Sequence, residues 1–445
     1  MEQAKLFSNK DLSRLILPLI VEQLLAVSVG MADVIMVSSA GETAVSGVSL
    51  VDMINVLILN IFAALATGGA VVTSQRLGAG ERKRACESAM QLLLITFGIA
   101  FAIMGLVLLV RGPLLRLLFG EIAPDVMQNA MTYFWISALS YPFIAVYNAC
   151  AALFRSMGNS KISMYTSLTM NLLNIAGNAL FVFGFQMGVA GVALSSLISR
   201  MVASVIMLIL LHNPVNIVHI RLKEDFHVNP KMIRKILHIG IPNALENSLF
   251  QLGRVLVVSI IAGFGTVQIA ANAVANNLDA LGCIPGQALS LAMITVVGHC
   301  VGAGDYEQAK YYAKKLMKIA YIVMAALNTT IILTLPLTLQ IYNLSPDTLR
   351  LATILVMIHD GCAMLVWPAS FTLPNALRAS NDVRFTMVIA IFSMGMFRIL
   401  FSLILGKWMG LGAIGVWIAM VMDWVFRATC FTVRFARGKW QLHKI

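Results

Sequence analysis

Charge is what this sequence lacks most. Only 12% of its 445 residues are charged, about half the ~25% of a soluble domain. Against that stand 59% hydrophobic residues and a mean hydropathy of +0.85. This balance excludes a soluble enzyme of this size and a disordered chain. The six cysteines (Cys86, Cys150, Cys283, Cys300, Cys362 and Cys430) form no C-x-x-C or metal-ligand spacing, so no disulfide framework is expected. H-E-x-x-H, G-x-S-x-G and a phosphate-binding Gly loop with Lys are also missing, which leaves a membrane-embedded enzyme without a motif. Repeated pore-loop motifs of a channel are absent as well. No small-residue cleavage site follows the polar lead from Met1 to Arg14, so the first apolar span is expected to be retained.

What is present is long apolar runs. A bilayer core of ~30 Å needs about 20 apolar residues per helix. Twelve such runs are expected, near 14–37, 47–73, 88–110, 129–153, 162–185, 188–211, 236–262, 268–297, 316–341, 350–377, 385–406 and 411–433. The net charge of +12 then reads as topology, not as a nucleic-acid footprint. Alternate loops, the two termini included, hold 24 of the 32 Lys and Arg; the opposite loops hold Arg111, Arg116, Arg350 and Lys407. That excess predicts a multi-pass protein of the cell (inner or plasma) membrane with both termini cytoplasmic.

The halves repeat at a constant offset of 224 (246 − 22 = 224). Pro18 matches Pro242, Glu22 matches Glu246 and Gly41 matches Gly265. Gly78-Ala79-Gly80 matches Gly302-Ala303-Gly304, and Gly188 and Gly191 match Gly412 and Gly415. The fold class is therefore an all-α polytopic membrane protein of twelve helices in two pseudo-symmetric six-helix lobes. The expected boundaries are 1–211 for the N-lobe, 212–235 for a cytoplasmic linker and 236–445 for the C-lobe with a short tail. Such parallel repeats place substrate between halves that rock against each other.

Polar groups inside a membrane are costly, so each needs a reason. The first span carries Glu22 and Asp33, on one helical face about 16 Å apart. Pro18, one turn before Glu22, and its counterpart Pro242 are expected to kink their helices. In the fifth span Asn171, Asn174 and Asn178 share a stripe, and the sixth offers Ser195 and Ser196. One carboxylate with amide and hydroxyl oxygens suits a hard cation such as Na+. It equally suits a proton acceptor, and the Asn ladder alone would suit helix–helix glue. Asp52 and Asn55 correspond to Asn276 and Asp279, with acid and amide exchanged between halves. Asp423 and Arg427, four apart, are expected to pair. Glu246 is expected either to pair with Arg254 or to serve as a second cation or substrate site. Arg200, Arg254 and Arg398 are expected to meet carboxylates or lipid headgroups. His299, His359 and Asp360 read as isolated groups near solvated helix ends.

Several stretches resemble the MATE (multidrug and toxic-compound extrusion) family, bacterial type. They are Pro18…Asp33-Val-Ile-Met-Val, Gly41-Glu42-Thr43-Ala44 and Gln75-Arg76-Leu77-Gly78-Ala79-Gly80, then Asn174…Asn178 with Phe183-Gly184 and Gly188-Val-Ala-Gly191. In the second half Gly240-Ile-Pro242, Gly265-Thr266, Val301-Gly302-Ala303-Gly304 and Leu377-Arg378-Ala379 continue the likeness. The resemblance implies a secondary active exporter of organic cations and drugs, driven by inward flow of Na+ or H+, with no cofactor. It maps a cation-coupling site onto Asp33, Asn174, Asn178 and Ser196, with Na+ held by Asp33, Asn174 and Asn178. Asn178 stands where some members carry Asp, so both ions stay open. Glu22, Glu246, Arg200, Asp52 and Asp279 are the substrate or second-lobe candidates, and Asp360 is a further second-lobe carboxylate candidate that lies too far before Arg378 for a clean match. The expected partners are a small organic cation and membrane lipid, with no nucleic acid, and the expected state is a monomer. The alternative is a flippase of the same wider superfamily, moving a lipid or lipid-linked oligosaccharide.

Overall fold

The computed structural model describes residues 5–221 and 226–442, and of residues 29–34 the backbone alone. The Lys223-Glu224-Asp225 stretch of the expected linker and the side chain of Asp33 lie outside the described residues. Every regular element among the described residues is helical. This follows from the solvent, because a chain crossing hydrocarbon must satisfy its backbone within each segment. Among the described residues ten helices are long and apolar enough to cross a membrane, and a bent pair makes up to eleven. The remaining expected span falls on the helix Asn9–Ser38, which includes residues 29–34.

The chain divides into two compact units. The first, Asn9–Ala244, holds α1 (Asn9–Ser38), α2 (Glu42–Gly78), α3 (Arg82–Phe119), α4 (Pro124–Leu139), α5 (Tyr141–Ser156), α6 (Ser160–Asn178), α7 (Val189–His212) and the start of α8 (Pro230–Ala262). α4 and α5 meet at a bend of 46°. Pro142 lies just past it and removes one helix N–H there. Gly68 on α2 lets α8 approach closely: a Cβ there would lie 2.6 Å from the Ile236 carbonyl oxygen and 2.9 Å from the Gly240 nitrogen. Small residues at helix crossings serve this purpose in membranes. The chain leading into α8 is pinned to α3, where Gln91 donates to the His227 carbonyl at 2.6 Å and accepts from the Asn229 N–H at 3.0 Å.

The second unit holds Leu245–Ile445 together with the N-terminal lead up to Ser8. It contains the rest of α8, then α9 (Thr266–Gly282), α10 (Ile284–Gly302), α11 (Tyr306–Gln340), α12 (Pro346–Trp367), α13 (Pro374–Ala379), α14 (Val383–Ser393) and α15 (Ala413–Ala436). A π-helical turn, Pro368–Thr372, joins α12 to α13, and two more, Met394–Leu400 and Ser402–Trp408, extend α14. The lead is fastened to this unit. Leu6 N–H donates to Gln308 Oε1 at 3.0 Å, and Tyr312 OH donates to the Phe7 carbonyl at 2.7 Å.

The sequence repeat is a backbone repeat. Gly41 and Gly265 have φ of 103° and 106°, Gly80 and Gly304 of 75° and 72°, and Gly188 and Gly412 of 58° and 62°. Each pair is separated by 224 residues and occupies a left-handed region that costs other residues about 1–2 kcal/mol. α6 passes into a π-helical turn at Ala179–Gly184, and the turn at Ser402–Trp408 occupies the corresponding stretch of the second half.

Candidate functional site

In the first unit the fifth-span amides come together with the sixth-span hydroxyls. Asn174 Nδ2 donates to Ser196 Oγ at 3.1 Å, and Asn178 Nδ2 donates to Asn174 Oδ1 at 3.3 Å. Ser195 Oγ donates to the Asn174 carbonyl at 2.6 Å. Gly177 makes this approach of α6 and α7 possible, since a Cβ there would lie 2.5 Å from Ser195 Oγ. Asn178 is fully buried and Asn174 nearly so. Asn174, Asn178 and Ser196 thus form one oxygen-rich group. The fourth expected member, Asp33, lies on α1 with its side chain outside the described residues.

The other expected acids of this unit have partners. Glu22 Oε2 accepts from Ser163 Oγ at 2.9 Å, and Glu22 Oε1 lies 3.7 Å from Arg155 Nη1. Pro18 leaves the Arg14 carbonyl without its helical donor. Ser160 Oγ reaches this turn, 2.6 Å from the Leu15 carbonyl and 3.2 Å from that of Arg14. Asp52 Oδ1 accepts from Tyr133 OH at 3.0 Å and from Asn55 Nδ2 at 3.3 Å, and Tyr141 OH donates to Asn55 Oδ1 at 2.7 Å. Arg200 donates to Ser140 Oγ at 2.7 Å.

In the second unit Glu246 meets Arg378, not Arg254: the guanidinium donates to Glu246 Oε1 at 2.6 Å. Arg378 is 132 residues away in sequence but adjacent in the fold. Asp423 and Arg427 pair as expected, at 2.9 Å. Pro242, like Pro18, lies inside its helix.

Asp279 and Asp360 are second-lobe candidates in the sequence, but their assembly around His359 is not foreseen there. Read as isolated and solvated, His359 and Asp360 are in fact 3% and 0% exposed and packed against Asp279 of α9. His359 Nδ1 lies 2.7 Å from Asp360 Oδ1 and 3.1 Å from Asp279 Oδ1. The Nδ1 position hydrogen-bonds Asp360, while Asp279 Oδ1 lies close by without a hydrogen bond of its own among the described residues. Trp417 and Trp424 set their edges against the imidazole, with ring centroids 5.9 and 5.0 Å away. Asp360 Oδ2 and the fully buried Asn328 Oδ1 accept no hydrogen bond among the described residues. Gly282 admits Asn328, whose Oδ1 would lie 2.5 Å from a Cβ at that position. Asp279, His359 and Asp360 each offer one ligand atom, all within 4.8 Å of one another. Two buried carboxylates with spare oxygens, beside an imidazole bonded to one of them, can hold a proton or a hard cation. The available signal was the pair His359-Asp360 in the middle of an apolar run, where an ionisable group is costly.

Comparison with known proteins agrees with this architecture. The MatE family model matches twice, over residues 18–180 and 242–404, and the two matches are 224 residues apart. The chain is similar to the uncharacterized transporter YisQ of Bacillus subtilis, 28% identical over 419 residues that cover 92% of this chain and 90% of that one. It is similar to the probable multidrug resistance protein NorM of Thermotoga maritima, 24% identical over 97% of this chain and 93% of that one. Its fold matches that of a multidrug resistance MATE family transporter solved in an outward-facing conformation, with a TM-score of 0.91 at 21% identity over 97% and 96% of the two chains. Two stretches of long apolar helices, each matched by the same family model, make this chain a multi-pass membrane transporter of the MATE family.

Proposed function

We propose that the chain is a secondary active exporter of organic cations and drugs, driven by inward flow of Na+ or H+ through alternating access of its two lobes. The single observation carrying this reading is the buried group of Asp279, Asp360 and His359, with carboxylate oxygens left unpartnered inside a membrane span. A buried carboxylate without a partner is strongly disfavoured unless a proton or cation joins it. The amide and hydroxyl group of Asn174, Asn178 and Ser196 supports a second such position in the first lobe, with Asp33 of α1 as its acid. An ion moves the equilibrium between access states only by binding one state more tightly. The names of the relatives, probable multidrug resistance proteins, support drug efflux. The proposed location is the cell membrane with both termini cytoplasmic, and the proposed working unit is the monomer.

The test is uptake of a fluorescent organic cation into proteoliposomes, with sodium and proton gradients imposed separately. Accumulation driven by at least one gradient is expected. Transport indifferent to both would defeat the antiport reading.

A further inference from the structure

The second unit contains a small cavity of about 40 Å³ between α8, α9, α15 and the π-helical turn Met394–Leu400. Its polar lining is Arg254, Arg398, Asn272 and Asn276, and its walls are Val257, Val258, Trp417 and Met420 among others. No carboxylate of the described residues lines it. A water needs roughly 10–15 Å³, so the space suits a group about the size of three waters, such as a carboxylate or phosphate.

The donors are not spent elsewhere. Arg398 is 9% exposed, and its Nε has no hydrogen-bond partner among the described residues. Its link to Asp423 is long, at 3.7 Å, while Arg427 holds the same carboxylate at 2.9 Å and Ser393 also donates to it. Arg254 makes no ion pair or side-chain hydrogen bond among the described residues; Glu246, its expected partner, is taken by Arg378. Asn272 accepts from Trp417 Nε1 at 2.9 Å through Oδ1, which leaves its NH2 group free to donate. The nearby charges are Asp279, which feels both guanidiniums, together with Asp360, Asp423 and Arg427.

The repeat sharpens the point. Subtracting the offset of 224 carries Arg398 onto Asn174, Met420 onto Ser196, Val257 onto Asp33 and Asn276 onto Asp52. The cavity is thus the counterpart of the expected cation site in the first half. The acid is replaced by Val257, and guanidinium groups stand at the counterparts of Asn174 and Gly30.

We propose that this cavity is a binding subsite for the anionic group of an amphiphilic ligand, with Arg254, Arg398 and Asn272 donating to a carboxylate or phosphate and the apolar walls taking its carrier. This goes beyond export of organic cations, because it assigns the second lobe a ligand group of opposite charge. A charge-assisted fork from Arg gives such a site both strength and geometry.

The experiment measures binding of dansyl-undecanoic acid, and of its uncharged methyl ester, to the whole protein in phosphatidylcholine nanodiscs. The acid is expected to bind and the ester to bind far more weakly. Arg254→Gln should weaken the acid by about tenfold or more, and Arg254→Lys by only about threefold because the charge remains. Arg254 is exposed, so its variants fold independently of any effect of Arg398→Gln on packing. Adding phosphatidylglycerol to the discs separates the sources. Competition seen in the native protein but not in Arg254→Gln assigns the site to a lipid headgroup, and unchanged acid affinity assigns it to a free organic anion. Equal affinity for acid and ester, or an Arg254→Gln protein that binds the acid normally, overturns the proposal.

Discussion

Glu22 and Glu246 stand at equivalent positions, and each finds an arginine at the far end of another helix: Arg155 for the first, Arg378 for the second. The second pair is the tighter, at 2.6 Å with both side chains about 10% exposed or less. Removing one partner of a buried pair leaves the other charge uncompensated, at a cost of about 3–5 kcal/mol. Glu246→Ala should therefore lower the thermal midpoint in detergent sharply, and the further change Arg378→Met should recover part of that loss. If the double variant is no more stable than Glu246→Ala alone, the pair is not what the arginine serves. Outside the membrane, Glu81 accepts from Arg76 at 2.6 Å and from Arg84 at 2.9 Å. The Arg76 hydrogen bond holds its carboxyl below the ordinary value of 4.5. A lowered folded-state value contributes stability above the unfolded value, and that stability disappears as pH falls through the folded one. Glu81→Gln is expected to be less stable than the native protein at pH 7 and equal to it well below pH 4.5; a stability gap independent of pH would contradict this. What a residue costs in hydrocarbon was legible in the sequence. Which distant residue relieves that cost was not, because Arg378 reaches Glu246 only through the packing of helices far apart in the chain.

At the scale of the element, prolines and glycines do most of the specifying. Pro18 leaves a carbonyl without its helical donor, and the Ser160 hydroxyl at the start of α6 serves that turn of α1. Ser160→Ala should destabilise the protein by about 0.5–1.5 kcal/mol, the net worth of one intramolecular hydrogen bond. A thermal midpoint unchanged in that variant would show that water or a backbone shift serves the turn instead. Gly177 and Gly282 each make room for one polar side chain, Ser195 and Asn328 respectively. The left-handed glycines at the loop positions were readable from the sequence, since their spacing of 224 repeats in order. The π-helical turns were not readable. They advance the register of α6 and of the α14 extension by one residue per turn, and no composition signal marks them. They matter because Arg398 sits within one of them, beside the cavity.

At the scale of the molecule, the duplicated halves have diverged in charge while keeping their backbone. In the first half the repeat-related positions hold Asp33, Asn174 and Ser196; in the second they hold Val257, Arg398 and Met420. The second half carries its own buried acids at Asp279 and Asp360. Long apolar helices could be read from hydropathy and the repeat from residues recurring at the offset of 224, while the expected twelve spans stand against ten such helices among the described residues, or eleven with the bent pair. The acids Asp279 and Asp360 could be named singly, but their meeting at His359 could not be read, because it gathers residues of α9, α11 and α12 that only packing brings together. The claim on which the functional reading rests is that Asp279 and Asp360, with Asp33 in the first half, take up the driving ion. The most direct measurement is gradient-driven efflux in proteoliposomes by Asp33→Asn and Asp360→Asn proteins whose folding and insertion match those of the native chain. The account predicts that Asp360→Asn loses most of its gradient-driven transport and that Asp33→Asn loses it altogether. Native rates in both variants, under the gradient that drives the unaltered protein, would contradict it.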